Sequence, residues 1–361
     1  MARPLYTAHK TALSTLYSEV DGEAAHLPAV FIGTAGSIIE RTNASGMRFY
    51  AHQYYDAEGK KKERYVAGPV GKKEADEKAK ELHERVDAAR ALSSSTRLLA
   101  REGYYVADAR TYATAASLHN HGFFAAGGTL LGSHAYGALL NHMGVRAAAY
   151  KTEDVDIARN QPLQLATEFK DGILGVLTAS GINLVEAPRI DVRQPSTTFM
   201  LPGASRFKVD LLVPVRKGRK PFMPVIMPEL KAYGTSLPYL DYLLAETQIV
   251  TLIAREGVCP VRVPVPHRMA WHKILVSALR ATQSSKAKKD FEQGCVLLAA
   301  IGDTDTQAIT DAAKDLHTTA RKKIASRQDL VETTLAMHPR ALDAFQDAMR
   351  GWGLKTQGRR Q

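Results

Sequence analysis

The sequence contains few cysteines and no long apolar run, and each absence excludes a class of protein. Cys259 and Cys295 stand alone among 361 residues, so the chain offers neither a disulfide framework nor a paired-cysteine zinc site. No run of about 18 apolar residues could cross a membrane, and no N-terminal stretch resembles a signal peptide. We therefore expect a cytoplasmic protein that does not enter a membrane.

Basic residues outnumber acidic residues in the chain. Lys and Arg number 48 against 37 Asp and Glu, which gives a formal net charge of +11 and a pI near 9.5. This balance is compatible with a polyanionic partner such as RNA, although many basic proteins bind no nucleic acid. The apolar content of 45% is ordinary for a globular protein, and the length allows two or three domains.

The pattern along the chain predicts three parts and an α/β (α+β) fold. Residues 1–98 read as a polar helical arm, a β-hairpin domain and a helix that we expect to end at Ser93–Ser95. Residues 99–266 alternate short strands with helices, one of them predicted over 163–180, and should form a core with a mixed sheet. Residues 267–361 read as a C-terminal helical domain. The helices predicted there cover 268–281, 286–301, 304–326 and 328–350.

Three acidic residues in short strands are candidates for a metal site. Residues i and i+2 of a strand point to the same side, so Asp154 and Asp156 present two carboxylates to one region. Carboxylates held together repel each other unless a cation lies between them. Asp210 is embedded in another apolar strand, where an unpaired acid is costly. The three carboxylates could hold two Mg²⁺ ions, and Asp210 could also orient or deprotonate an acceptor hydroxyl. The alternative is that all three are surface acids.

The residues predicted to bind a nucleotide come from separate segments. Gly132 and Ser133 open a helix, where free backbone N–H groups favour a phosphate. Lys273 could reach a triphosphate, since an ammonium is a compact phosphate partner, and Asp290 could pair with Lys273 and hold it in position. Equally, these two charges could lie on solvated helix faces.

The hairpin predicted near the N-terminus is both aromatic and basic. A strand over 47–55, a turn at 56–59 and a returning strand over 60–66 carry its Tyr, Phe, Lys and Arg side chains. Such a surface could stack bases and contact phosphates. Alternatively, one aromatic face packs on the neighbouring helix.

Taken together, these residues resemble the DNA polymerase β-like nucleotidyltransferase superfamily. The order of Gly132-Ser133, a long gap, Thr152–Ile157 and then Asp210 carries the resemblance. The gap of 20 residues between Ser133 and Asp154 is longer than is usual in the superfamily. A bacterial family of uncharacterised nucleotidyltransferase-fold proteins shares this long gap, and the chain resembles it over roughly residues 30 to 300.

A second resemblance, to one group of nucleotidyltransferases, makes the expected function more specific. His272–Leu275 and Lys289-Asp290 look like the last two motifs of the AbiEii/MenT-type toxin nucleotidyltransferases. Those enzymes belong to toxin–antitoxin or phage-defence systems, and some add nucleotides to the 3′ end of tRNA. The resemblance implies an NTP substrate, an RNA (tRNA) acceptor and, for a toxin, a cognate antitoxin protein as partner.

The resemblance also implies roles for the site residues. Ser133 would bind a nucleotide phosphate, Asp154 and Asp156 would bind the metals, and Lys273, supported by Asp290, would contact the triphosphate. Asp210 would be the third acid of the polymerase β-like core. Some members of the superfamily modify proteins and others are inactive, which leaves two alternatives open: a protein nucleotidylyltransferase, and an inactive nucleic-acid- or partner-binding module.

Overall fold

A computed structural model describes residues 3–148, 152–166, 168–189, 191, 193–203, 205–281 and 284–353. Its helices are α1 (Thr11–Ala25), α2 (Lys73–Arg101), α3 (Ala109–Asn120), α4 (Gly132–His142), α5 (Gly172–Thr178), α6 (Leu240–Leu244), α7 (Pro266–Leu279), α8 (Ser285–Gly302), α9 (Thr306–Lys314), α10 (Thr318–Ala325), α11 (Gln328–Thr334) and α12 (Pro339–Gly351). Its strands are β1 (Thr7–Ala8), β2 (Ser37–Thr42), β3 (Arg48–Tyr55), β4 (Lys61–Ala67), β5 (Thr129–Leu130), β6 (Val145–Arg146), β7 (Asp154–Ala158), β8 (Val185–Glu186), β9 (Thr198–Met200), β10 (Lys208–Pro214), β11 (Pro224–Met227), β12 (Ala232–Leu237), β13 (Thr247–Ile253) and β14 (Val258–Pro264).

An antiparallel sheet in the order β2-β3-β4 forms the N-terminal part, and its second half is the predicted hairpin. The turn between β3 and β4 closes on Asp56, whose Oδ1 accepts hydrogen bonds from the backbone N–H groups of Glu58 and Lys60 at 2.9 Å. Helix α2 packs against this sheet. The hydroxyl of Tyr50 donates to Asp76 of α2 at 2.9 Å, so part of the aromatic face does pack on the helix.

The central sheet is mixed and has the strand order β11-β12-β10-β7-β5. Strand β10 runs parallel to β7 on one edge; on its other edge it pairs first with β9 and then with β12. Strands β5, β9 and β11 run antiparallel to their partners. Helices surround this sheet and form the C-terminal part, which confirms the predicted α/β (α+β) class with a mixed sheet.

Alternation along β7 and β10 determines which side chains enter the core. Val155 and Ile157 are buried from β7, and Val209 and Leu211 are buried from β10. Because successive side chains of a strand point to opposite faces, the residues between them share the other face. Apolar burial thus forces the acidic residues of both strands to one side of the sheet.

One cluster of buried apolar side chains extends from Val30 to Met349 and includes the central sheet and the C-terminal helices. A smaller cluster joins α1, α2 and β13. The boundaries expected after residues 98 and 266 stay predictions. No helix formed by the described residues is long and apolar enough to cross a membrane.

The predicted end of α2 at Ser93–Ser95 is wrong, because the helix continues to Arg101. The hydroxyls of Ser93 and Ser94 donate to the carbonyl oxygens of Ala89 and Arg90, one turn earlier. Serine can satisfy its hydroxyl inside a helix in this way without ending it.

The helix predicted over 163–180 is largely wrong, since α5 covers only Gly172–Thr178; Thr167 lies outside the described residues. Gly172 has a left-handed φ of +64°, and a Cβ there would lie 2.7 Å from the carbonyl oxygen of Leu230. A right-handed helix does not continue through such a residue toward the N-terminus.

The helices predicted over 304–326 and 328–350 are each divided in two. The first is split into α9 and α10 around Leu316, which turns into the core. The second is split before Pro339, which begins α12. Proline has no N–H to donate and keeps His338 before it out of the helical region, at φ −127° and ψ 71°.

Candidate active site

The acidic residues of β7 and β10 face each other across two neighbouring parallel strands. Asp156 is in register with Asp210, and Asp154 is in register with Lys208. Neighbouring strands lie about 4.8 Å apart, so side chains in register on one face are close neighbours. The sheet therefore brings together the three carboxylates predicted from separate segments of the sequence.

Among the three carboxyl groups, that of Asp156 has a raised pKa. The pKa of its carboxyl is raised to about 6, first by burial and then by the charges of Asp210 and Asp154, although the charges of Lys273 and Lys208 oppose the shift. Its side chain accepts no hydrogen bond in the described part of the chain. A buried carboxylate with so little compensation would be stabilised by an added cation.

Asp210 is held by two donors. Thr198 Oγ1 donates to its Oδ1 at 2.5 Å, from the neighbouring strand β9. Lys208 Nζ donates to its Oδ2 at 2.5 Å and lies 3.9 Å from Oδ2 of Asp154. Although burial lowers the pKa of Lys208, the hydrogen bond and the charge of Asp210 raise it overall. A lysine ammonium thus lies between two of the predicted metal ligands.

A metal site is not fully assembled in this geometry. Among the described residues, no three His, Cys, Asp or Glu side chains are arranged to hold a metal ion. The donor set nevertheless suits Mg²⁺, which prefers carboxylate oxygens, and the raised pKa of Asp156 marks uncompensated negative charge. Lys208 would have to turn away from Asp210 before the three carboxylates could hold such an ion together. Binding of two Mg²⁺ ions by Asp154, Asp156 and Asp210 stays a prediction.

The start of α4 lies directly against Asp156. Gly132 has a φ of +68°, and a Cβ there would lie 2.2 Å from Asp156 Oδ2. The backbone N–H of Leu131 donates to the carbonyl oxygen of Asp156 at 2.8 Å. Among the described residues no side chain caps this helix, so its first N–H groups, including that of the buried Ser133, can donate hydrogen bonds to an anion.

His134 follows Ser133 and is buried in a hydrogen-bonded chain. Its Nδ1 lies 2.6 Å from the Tyr105 hydroxyl, and its Nε2 lies 3.3 Å from Thr111 Oγ1, which donates to Asp108 Oδ2 at 2.6 Å. Burial lowers the pKa of His134 to about 4, so the ring is neutral at physiological pH. It fixes the first turn of α4 without adding charge.

Lys273 of α7 and Asp290 of α8 form a buried ion pair. Lys273 Nζ donates to Asp290 Oδ1 at 2.9 Å, and the Arg280 guanidinium lies 2.7 Å from Asp290 Oδ2. The charge of Lys273 also lowers the pKa of Asp156, which places this ammonium within electrostatic reach of the carboxylates. The reading as two solvated surface charges does not describe these residues, because both are buried.

A cleft of about 760 Å³ opens beside His134. Arg110, Arg146 and Arg255 line it, and so do the acids Asp108, Glu153 and Glu256. The charges along its wall are therefore mixed, and Arg110 already forms an ion pair with Glu58 at 2.8 Å.

A family model described as nucleotidyltransferase matches residues 109–318, which is more than half of the chain. The chain belongs to this nucleotidyltransferase family. No curated protein and no solved structure matches it. Nucleotidyltransferases use nucleoside triphosphates as substrates and usually divalent metal ions. The matched segment of this nucleotidyltransferase contains every predicted site residue from Gly132 to Asp290, and the hairpin of β3 and β4 lies outside it.

Two polar residues of this candidate site were missed by sequence reasoning. Lys208 is one; its position i+2 from Asp210 placed it on the same strand face, but only the register reveals its contact with Asp154. The other is the buried Gln293, whose Nε2 lies 3.5 Å from Ser133 Oγ; its position three residues after Asp290, on the same side of α8, was the available signal. Lys289, already noted beside Asp290 in the sequence, has a pKa that is lowered by burial and by the charge of Lys273.

Proposed function

We propose that the protein is a Mg²⁺-dependent nucleotidyltransferase that transfers NMP from an NTP to an RNA acceptor, with the 3′ end of tRNA as the leading candidate. The observation that carries the proposal is the register of Asp156 with Asp210 across parallel strands, with the start of α4 against Asp156. Carboxylates and a phosphate-binding helix start in contact with each other are the two halves of a phosphoryl-transfer site.

Different groups of the site bind different parts of the NTP and its metal ions. The first N–H groups of α4 and the hydroxyl of Ser133 hold a phosphate, and Gln293 orients that hydroxyl. Lys273 neutralises the triphosphate, while Asp290 and Arg280 fix the direction of its ammonium. Two Mg²⁺ ions bound by the carboxylates would polarise the phosphates and stabilise the charge that develops on the leaving pyrophosphate.

The reaction requires a proton acceptor near the attacking oxygen, and Asp210 is the candidate. Its carboxylate takes the proton of the acceptor hydroxyl as the oxygen forms a bond to the α-phosphorus. The bond between that phosphorus and the oxygen bridging to the β-phosphate breaks, and the electron pair leaves with pyrophosphate. Thr198 and Lys208 hold Asp210 in position before substrate arrives.

An RNA acceptor is supported by the net charge of +11. A role as the toxin of a toxin–antitoxin or phage-defence system is supported by the resemblance of the segments around Lys273 and Asp290 to toxin nucleotidyltransferases. Induced expression should then arrest bacterial growth, and Asp156→Asn should abolish the arrest.

The test is to incubate the protein with α-labelled NTPs, Mg²⁺ and total bacterial RNA. The wild type should label RNA, Asp154→Asn/Asp156→Asn should not, and Asp87→Asn on the exposed side of α2 should behave as wild type. Label in an RNase-resistant protein band would instead favour protein nucleotidylylation. If the wild type transfers no more label than the double variant to RNA or protein, the inactive binding module is the better reading.

A further inference from the structure

A second cleft, of about 550 Å³, lies between the N-terminal sheet and the central part of the chain. Its walls include Asn120 and Ser180 on the side of the core. The opposite side is aromatic and basic, and its rings and cations include Phe31, His52, Tyr54, Lys62, Arg64 and Arg85. None of these six residues belongs to the segment that matches the nucleotidyltransferase family.

The pairing of β3 with β4 places rings and cations side by side in this cleft. Tyr54 is in register with Lys62, and His52 is in register with Arg64. Partners in register share a face of the sheet, so each ring has a basic side chain next to it. Lys62 and Arg64 are exposed, and their charges face solvent at the cleft.

Three rings form a short row in the cleft. The Phe31 and His52 rings are tilted by 49° with their centroids 5.3 Å apart, and the His52 and Tyr54 rings are stacked at 5.1 Å with an interplanar angle of 23°. The Arg85 guanidinium lies over Phe31 at 5.6 Å. His52 is buried and its Nε2 lies 2.8 Å from the carbonyl oxygen of Ala35, whereas Tyr54 remains partly exposed. The row of rings therefore ends at Tyr54, which is in part accessible from the solvent.

The turn of the hairpin connects this cleft to the one beside His134. Asp56 lines the aromatic cleft and lies 3.6 Å from Lys62 Nζ. Two residues later, Glu58 forms an ion pair with Arg110 at 2.8 Å, and Arg110 lines the cleft beside His134. The hairpin turn therefore lies next to both clefts.

We propose that the aromatic cleft binds a single-stranded segment of the acceptor RNA, with an unpaired base stacked on Tyr54 and its phosphates on Lys62, Arg64 and Arg85. Base stacking on aromatic rings and cations along the backbone are how proteins bind single strands without reading sequence. The identity of this RNA as the acceptor rests on the proposed function. The binding itself requires neither nucleotide nor metal.

The test measures binding of a fluorescein-labelled oligoadenylate RNA of about ten nucleotides, a typical site size, by fluorescence anisotropy in EDTA without NTP. Two register pairs of identical composition lie next to each other on opposite faces of the sheet: Tyr54 with Lys62 faces the cleft, and Tyr55 with Lys61 faces away. Tyr54→Leu/Lys62→Gln should raise the Kd at least about tenfold. Tyr55→Leu/Lys61→Gln should change it less than about twofold.

A second variant, Lys62→Gln/Arg64→Gln, alters exposed side chains only and should also weaken binding and reduce its salt dependence. Equal losses in the two matched register pairs, unchanged binding in both, or no RNA binding by the wild type would each overturn the proposal. Asp154→Asn/Asp156→Asn should bind the RNA as the wild type does. If the oligoadenylate binds in the cleft but total bacterial RNA receives no label in the transfer assay, the proposed function fails and the cleft proposal stands.

Discussion

Lys208 and Asp210 lie two residues apart on the same face of β10, and the Lys208 ammonium donates a hydrogen bond to Asp210 Oδ2 at 2.5 Å. Because Lys208 also lies 3.9 Å from Asp154, it competes with any cation that binds these carboxylates. We expect Lys208→Met to tighten Mg²⁺ binding about two- to fivefold, the amount by which a partly exposed ion pair opposes it. The measurement is the midpoint of Mg²⁺-dependent thermal stabilisation without nucleotide.

The matched control for this change is Lys217→Met, since Lys217 is exposed in the segment after β10. It should leave the Mg²⁺ midpoint unchanged. Weaker Mg²⁺ binding by Lys208→Met would show that the lysine assists the metal and does not compete with it.

Two features of the structure favour glycine at position 132: its left-handed backbone and its close approach to Asp156. Substitutions can separate their effects. Gly132→Ala adds a Cβ 2.2 Å from Asp156 Oδ2 at a residue with φ +68°. We expect a loss of about 1–2 kcal/mol in the free energy of unfolding from the backbone alone, and about a hundredfold loss of transfer activity from displacement of Asp156. Gly122→Ala is the control, because its φ is +77° and a Cβ there has no atom within 4 Å. Equal activity losses in the two variants would contradict the role of the close approach.

The sequence indicated these acids because alternation in a strand is local: Val155 and Ile157 must be buried, so the acids between and beside them share the other face. The contact of Lys208 with Asp154 was not predictable in this way, since it depends on the register of two strands some fifty residues apart in sequence. The same limit explains the wrong helix over 163–180. Gly172 is left-handed and lies so close to the distant carbonyl of Leu230 that a Cβ would not fit, which no local pattern reveals.

The raised pKa of Asp156 predicts a specific pH dependence of stability. Its ordinary value of 3.8 rises to about 6 in the folded protein, so between these values the folded state binds more protons than the unfolded state. Stability from this group therefore falls as pH rises from about 4 to 6, by up to about 3 kcal/mol. We expect Asp156→Asn to gain stability over the wild type across this window and to keep the gain above pH 6.

Urea unfolding of both proteins from pH 4 to 8 measures this difference. Ser117→Ala serves as the control, because it removes the hydrogen bond to the carbonyl of Val176 and no titrating group, so its difference from the wild type should not vary with pH. If the difference in the free energy of unfolding between Asp156→Asn and the wild type does not vary with pH, burial does not raise the pKa of the Asp156 carboxyl.

The buried pair of Lys273 and Asp290 allows folding and function to be separated. Asp290→Ala leaves the Lys273 ammonium buried without its partner and should lower the free energy of unfolding by about 3–5 kcal/mol. Lys273→Met/Asp290→Leu replaces both charges by apolar groups and should recover most of that stability. If Lys273 contacts the triphosphate, the double variant should still lack transfer activity and Mg²⁺-dependent NTP binding. Urea unfolding together with equilibrium dialysis of labelled ATP measures both properties; a stable double variant that still binds and transfers the nucleotide would restrict Lys273 to a structural role.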